Sequence, residues 1–168
     1  MKYIFDNVSD KCSKLTTIAY STSFSFGIKA LDKRLHAPIY GIYGFVRFAD
    51  EIVDTFHDYD KYRLFHKFKE DTIDAIESKI SLNPILNSFQ KVVHDYNIEW
   101  ELINTFLDSM EMDLDELQTY DADKYNKYIL GSAEVVGLMC LKVFVDGDEN
   151  KYNNLSLIHI SEPTRPPE

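Results

Sequence analysis

From residue 60 onward, apolar residues return every three or four positions, the repeat of a helix that buries one face. Tyr62, Phe65, Ile73, Ile76 and Ile80 form one such stripe, with Lys67, Glu70 and Asp71 between them. Asn83-Pro84 reads as a cap followed by proline at the first helical position, and Leu86, Phe89, Val93 and Tyr96 continue the pattern to Asn97. A third helix is predicted from about Glu99, with Trp100, Ile103, Phe106, Leu107 and Met110 inward, and a fourth from about Asp121 to Phe144. No period-two alternation signals a strand and no internal repeat is present, so the chain is predicted to be all-α.

One element departs from this amphipathic pattern. Ala37 to Val46 carries no charge and is apolar all round, as in a helix buried on most sides, and Arg47, Asp50, Glu51 and Asp54 follow at once. At 100° per residue Tyr43, Arg47, Asp50 and Asp54 fall within roughly 60° of one another. Charges buried on such an element must pair or meet a partner, so the stripe is expected to face a cavity. Asp50 and Asp54, one turn apart, offer hard oxygen ligands to a divalent ion, and Mg²⁺ commonly takes one or two carboxylates and completes its shell with water and phosphate. Arg47 suits either neutralising those acids or gripping a diphosphate. An intrahelical Arg–Asp pair is the plain alternative, and the apolar flanks count against it.

Composition narrows the partners. The 168 residues are 45% hydrophobic and 14% aromatic, enough for a real core, and 18 Lys+Arg against 28 Asp+Glu leave a net charge of −10. That balance argues against nucleic acid and disfavours an anionic membrane surface, leaving at most peripheral membrane contact. The most apolar stretches, 37–46 and 128–145, are too short or interrupted by Glu134 and Lys142 to span a bilayer, and MKYIFDNVSD lacks a signal-peptide core, so a cytoplasmic protein is expected. Cys12 and Cys140 have no CxxC partner, and His36, His57, His66, His94 and His159 show no ligand spacing.

YSTSFSFGIKAL (20–31) and IYGIYGFVRFADEIVD (39–54) resemble the squalene and phytoene synthase family, the phytoene synthases most nearly. SMEMDL (109–114) and YILGSAEVVGLM (128–139) agree, and the resemblance spans about residues 8–154. It implies an isoprenoid-synthase-type helical bundle around a central cavity, joining two prenyl diphosphates head to head. In phytoene synthases these are two geranylgeranyl diphosphates, joined through a cyclopropyl diphosphate. Squalene or dehydrosqualene synthesis from farnesyl diphosphate is the neighbouring reading, and a non-enzymatic assembly or interaction protein of the same fold a third.

Carried over residue by residue, the resemblance makes Asp50, Glu51 and Asp54 a first aspartate-rich motif holding Mg²⁺, with Mn²⁺ as a substitute. Arg47 and Tyr43 become diphosphate contacts. Ser21 and Ser23 become part of a flap anchored by Phe24, although Thr22 stands where relatives often have a basic residue. Gly131, Val136 and Gly137 line a glycine-broken helix beside the prenyl tail, and close helix packing explains Gly131 and Gly137 equally well. Met112-Asp113 matches a family pair or is plain surface. Phe24, Phe26, Tyr40 and Phe45 are wall candidates, with ordinary core as the alternative.

The family's second aspartate-rich motif does not occur in this chain, which implies a truncated domain, inactive alone. The missing helices are expected to leave Ile39, Ile42, Phe45 and the fourth helix exposed. Leu155 to Arg165 resembles the translated frame of a sequencing adapter, with three of the five prolines in the last six residues, so 155–168 is expected to be a non-native tail that packs poorly and continues no helix.

Overall fold

The uncharged run centred on Ile39–Phe45 makes one helix the hub of the molecule. In a computed structural model of the chain, which describes residues 1–114 and 130–161, this is α3 (Lys33–Asp54). Around it lie α1 (Lys2–Tyr20), α2 (Thr22–Lys29), α4 (Lys61–Ser78), α5 (Pro84–Asp95), α6 (Trp100–Leu114) and α7 (Val135–Phe144), all packed against it. α8 (Glu149–Ser161) packs on α7. No strand occurs among the described residues.

Short polar side chains set where the helices begin. Asp32, Asp60 and Asn83 each accept hydrogen bonds from the first free amides of α3, α4 and α5, the Asn83 side chain from Ile85 N at 3.0 Å and Leu86 N at 3.3 Å. Lys79 and Asn97 end the second and third of these in left-handed backbone, with φ of 57° and 54°. The helices read from periodicity therefore stand within a residue or two of their predicted bounds.

Two glycines let the hub be crowded. A Cβ on Gly41 would lie 2.9 Å from Val92 Cγ2 of α5, and one on Gly44 3.1 Å from Ser13 Oγ of α1. The absent side chains thus bring α5 and α1 onto α3 at close range. Below them Phe45 stacks on Phe89 with ring centroids 3.9 Å apart and contacts Phe68 and Phe106. Ile39, Ile42 and Phe45 are buried to within 2% of full exclusion. The expectation that they and the fourth helix stand exposed is therefore wrong: the helices around α3 close this core, with Ile28 of α2 and Val135, Met139 and Val143 of α7 buried in it. Phe45 and Tyr40 are core residues, while Phe26 is 76% exposed. Trp100 also lies outward, at the first position of α6, where the pattern placed it inward.

The predicted fourth helix falls partly outside the described residues. Its described part opens with a π-helical turn, Leu130–Glu134, that runs into α7 and ends at Phe144 as predicted. A π turn within a helix displaces the axis, the bend that Gly131, Ser132 and Ala133 suggested. No described residue lies within 4 Å of a Cβ placed on Gly137, so close packing among the described residues does not explain that glycine.

Lys142 ties this end together. It is fully buried, donates to Glu99 Oε1 at 3.0 Å and Glu149 Oε1 at 2.9 Å, and sits 3.8 Å above the Tyr152 ring. Asp148 caps α8 through Lys151 N. The helix continues across Asn154 to Ser161, contrary to the expectation that the chain is non-helical from Leu155. Cap and Lys142 start it, and the leucine at 155 remains 45% exposed.

Candidate active site

Two features meet at the hinge between α1, α2 and α3. The first is the charged stripe of α3. Asp50 is half-buried and Asp54 exposed. Burial, then the charge of Asp54, pushes the Asp50 carboxyl up to about 6; Arg47 opposes this, and Asp113 at the end of α6 and Glu51 add to it. Asp113 thus belongs to the electrostatics of the stripe, where the sequence allowed a plain surface acid.

Arg47 turns to Glu51, not to Asp50. Its Nη2 donates to Glu51 Oε2 at 2.5 Å across one turn, and its guanidinium lies 4.4 Å from the Tyr20 ring centroid. Thr55 Oγ1 donates to the other Glu51 oxygen at 2.7 Å. The hydrogen bonds from Arg47 and Thr55 hold the Glu51 carboxyl below its ordinary range. Glu51 is therefore occupied by protein donors, in contrast to its expected place beside Asp50 and Asp54 as a metal ligand. The reason is angular: Glu51 stands one turn after Arg47, roughly 40° from it on the wheel, and roughly 100° from Asp50. Arg47 Nε, by contrast, is buried and has no acceptor among the described residues.

The second feature is a cavity of about 590 Å³ lined by Ser21, Ser23, Phe24, Gly27, Ile28, Leu31, Ile39, Cys140 and Phe144. Ser21 caps α2, accepting from Phe24 N at 3.2 Å. Phe24 stacks on Tyr43 with centroids 4.9 Å apart, so the cavity and the stripe touch through this pair. Neither Asp50 nor Asp54 lines the cavity itself. Val136 and Gly137 do not line it either; Cys140 and Phe144, one and two turns beyond Val136, do. Their four-residue spacing from Val136 is the sequence signal that finds them. Burial pushes the Cys140 thiol up to about 11, leaving it a neutral, apolar wall. The surroundings of Gly131 lie outside the described residues.

Among the described residues no three acid, His or Cys side chains form a group able to hold a metal. The donor set is the aspartate pair alone. Its hard carboxylate oxygens suit Mg²⁺ or Mn²⁺ in kind, and the Asp50 carboxyl, raised by burial and then by the charge of Asp54, is one whose ionised form a divalent cation would favour.

A model of the squalene/phytoene synthase family matches residues 18–158. Among solved structures, the chain is similar to a dehydrosqualene synthase in complex with ligand, with a TM-score of 0.72 and 21% identity over 82% of this chain and 48% of that one. It is also similar to squalene synthase HpnC from Alicyclobacillus acidocaldarius, with a TM-score of 0.76 and 18% identity over 89% and 56%. These likenesses show the all-α isoprenoid-synthase fold, and the chain spans about half the length of both structures. Comparison with curated protein sequences yields no significant match.

Proposed function

Because the chain belongs to the squalene/phytoene synthase family, we propose that it supplies part of a site where two prenyl diphosphates are joined head to head. The observation that carries this reading is the junction of the α3 stripe with an apolar cavity through the Phe24–Tyr43 stack. A diphosphate and a prenyl tail need those two environments side by side.

In this reading Ser21 and Ser23, at the N-terminus of α2, donate to diphosphate oxygens, which the free amides of that helix end also favour. Arg47 turns its Nε to the same group, and Tyr43 orders the flap by holding Phe24. Asp50 and Asp54 would hold Mg²⁺, which when bound neutralises charge on the departing diphosphate. Loss of diphosphate from one substrate leaves an allylic cation that the double bond of the second captures, a proton leaves as the cyclopropyl diphosphate closes, and departure of its diphosphate with a second proton gives the hydrocarbon. Ile28, Leu31, Ile39, Cys140 and Phe144 keep water from the cation, and aromatic faces at Phe24 and Phe144 stabilise positive charge. The substrates we propose are two geranylgeranyl diphosphates, giving phytoene; farnesyl diphosphate is the alternative. The site works in the cytoplasm on lipid substrates, and the chain by itself is inactive because the second acidic motif is not in it.

Calorimetric titration of the 168-residue chain with geranylgeranyl and farnesyl thiodiphosphate tests this. Binding should require Mg²⁺ and weaken by roughly tenfold or more in Asp50→Asn/Asp54→Asn. The C20 analogue should bind more tightly than the C15. Equal binding without Mg²⁺ and in the double variant refutes the metal assignment, and a preference for C15 transfers the reading to farnesyl diphosphate.

A further inference from the structure

Arg47 has two carboxylates within one turn of it, Asp50 three residues on and Glu51 four. Charge alone favours Asp50, because Asp54, Asp113 and Glu51 all add negative potential at that position. An unrestrained guanidinium would be drawn there. Instead it pairs with Glu51.

Two contacts from outside the pair account for this. Thr55 Oγ1 donates to Glu51 Oε1 at 2.7 Å and fixes the carboxylate one turn beyond Arg47. Tyr20, the last residue of α1, sets its ring centroid 4.4 Å from the guanidinium carbon, where the negative face of the ring attracts it. Tyr20 stands where α1 passes into α2: Ser21 N donates to Thr17 O at 2.9 Å and closes α1, while Ser21 Oγ caps α2. The ring is thus carried on backbone fixed at both sides. Yet Tyr20 is 48% exposed, so the core does not require an aromatic residue there.

Without that contact, the cation-seeking and anion-seeking parts of the stripe would cancel. A guanidinium turned to Asp50 would satisfy it in the empty protein and occupy the donors meant for a diphosphate. We propose that Tyr20 is a positioning residue: its ring holds Arg47 on Glu51 and away from Asp50, leaving Asp50 and Asp54 to a divalent cation and the remaining donors of Arg47 to an oxyanion. Arg47 Nε has no acceptor among the described residues in this arrangement, and an oxyanion supplies what a buried donor lacks. The purpose of the separation rests on the function proposed above, whereas the separation itself stands on the contacts of Tyr20, Arg47 and Glu51.

A thermal-unfolding cycle on the 168-residue chain, in chelator and without substrate, tests the separation. At about pH 7.5 Asp50→Asn should raise the midpoint of the parent by roughly 2–6 °C. In Tyr20→Leu, where Arg47 is released to Asp50, the same substitution should bring no gain or a loss. Tyr20→Phe keeps the ring and should restore the gain. So should removal of the guanidinium in Tyr20→Leu/Arg47→Met, because the effect of Tyr20 passes through Arg47. A gain of equal size in the parent and in Tyr20→Leu overturns the proposal, as does a gain that neither Tyr20→Phe nor Arg47→Met restores. Mn²⁺ binding, followed by electron paramagnetic resonance, should weaken by roughly tenfold in Tyr20→Leu and hold in Tyr20→Phe; an affinity unchanged in Tyr20→Leu also overturns it. If the parent binds no Mn²⁺, the cation reading of the aspartates fails while the melting cycle still decides the role of Tyr20, so the two failures are told apart.

Discussion

Replacing Asp50 by asparagine should stabilise the fold, although Asp50 is the residue on which the proposed chemistry leans most. Burial and the neighbouring Asp54 raise its carboxyl from 3.8 to about 6. A shift of about two units at roughly 1.4 kcal/mol each sets a ceiling near 3 kcal/mol. Asp50 is only half-buried, and solvent screening reduces this to about 1–2 kcal/mol. The sign follows from proton binding: between about pH 4 and pH 6 the folded carboxyl holds a proton that the unfolded one has lost, so stability falls as pH rises through that window. The penalty is absent below about pH 4 and complete above about pH 6. Thermal unfolding followed by circular dichroism, in chelator, is the assay. At about pH 7.5 Asp50→Asn should melt roughly 2–6 °C above the parent, and at about pH 4 the two curves should coincide. Millimolar Mg²⁺ should raise the parent's midpoint and leave the variant's unchanged. A variant less stable at neutral pH, or a gap that does not vary with pH, refutes the picture of crowded like charges at this position.

Gly41→Ala should destabilise by about 1–3 kcal/mol, because its Cβ would meet stiff Val92 at 2.9 Å, whereas Gly137→Ala, with no described residue within reach of its Cβ, should stabilise by up to about 1 kcal/mol; denaturant midpoints of the two variants should move in opposite directions. Lys142→Ala should cost about 2–3 kcal/mol by removing two charge-assisted hydrogen bonds and the contact with Tyr152, and hydrogen exchange should show α8 opening first. Ending the chain after Asn154 should change stability by less than about 0.5 kcal/mol, since Tyr152, a buried residue of α8, is retained; a larger drop in melting temperature would show that the tail packs.

Helix type and start were legible along the sequence wherever one face is apolar and a short polar side chain precedes it. Asn83-Pro84 marks α5 because capping and the fixed φ of proline act over three residues. The α3 stripe is equally local, since four residues on one helix share a direction whatever surrounds them. The family resemblance rests on these same local runs. Helix α1 gave no such signal, because Ser9, Ser13 and Thr17 face the core and its apolar residues face out. Only the packing of α1 over Gly44 reveals which side is inside. The choice of Glu51 over Asp50 as the partner of Arg47 depended on side-chain reach in space, as did the coupling of Asp50 to Asp113, sixty-three positions away and on another helix. Cys140 and Phe144 became cavity walls because the turn at Leu130–Glu134 and the Lys142 pins set the rotation of α7. Periodicity states that a helix has an inner face, but what that face meets is fixed by burial and charge contributed from distant parts of the chain.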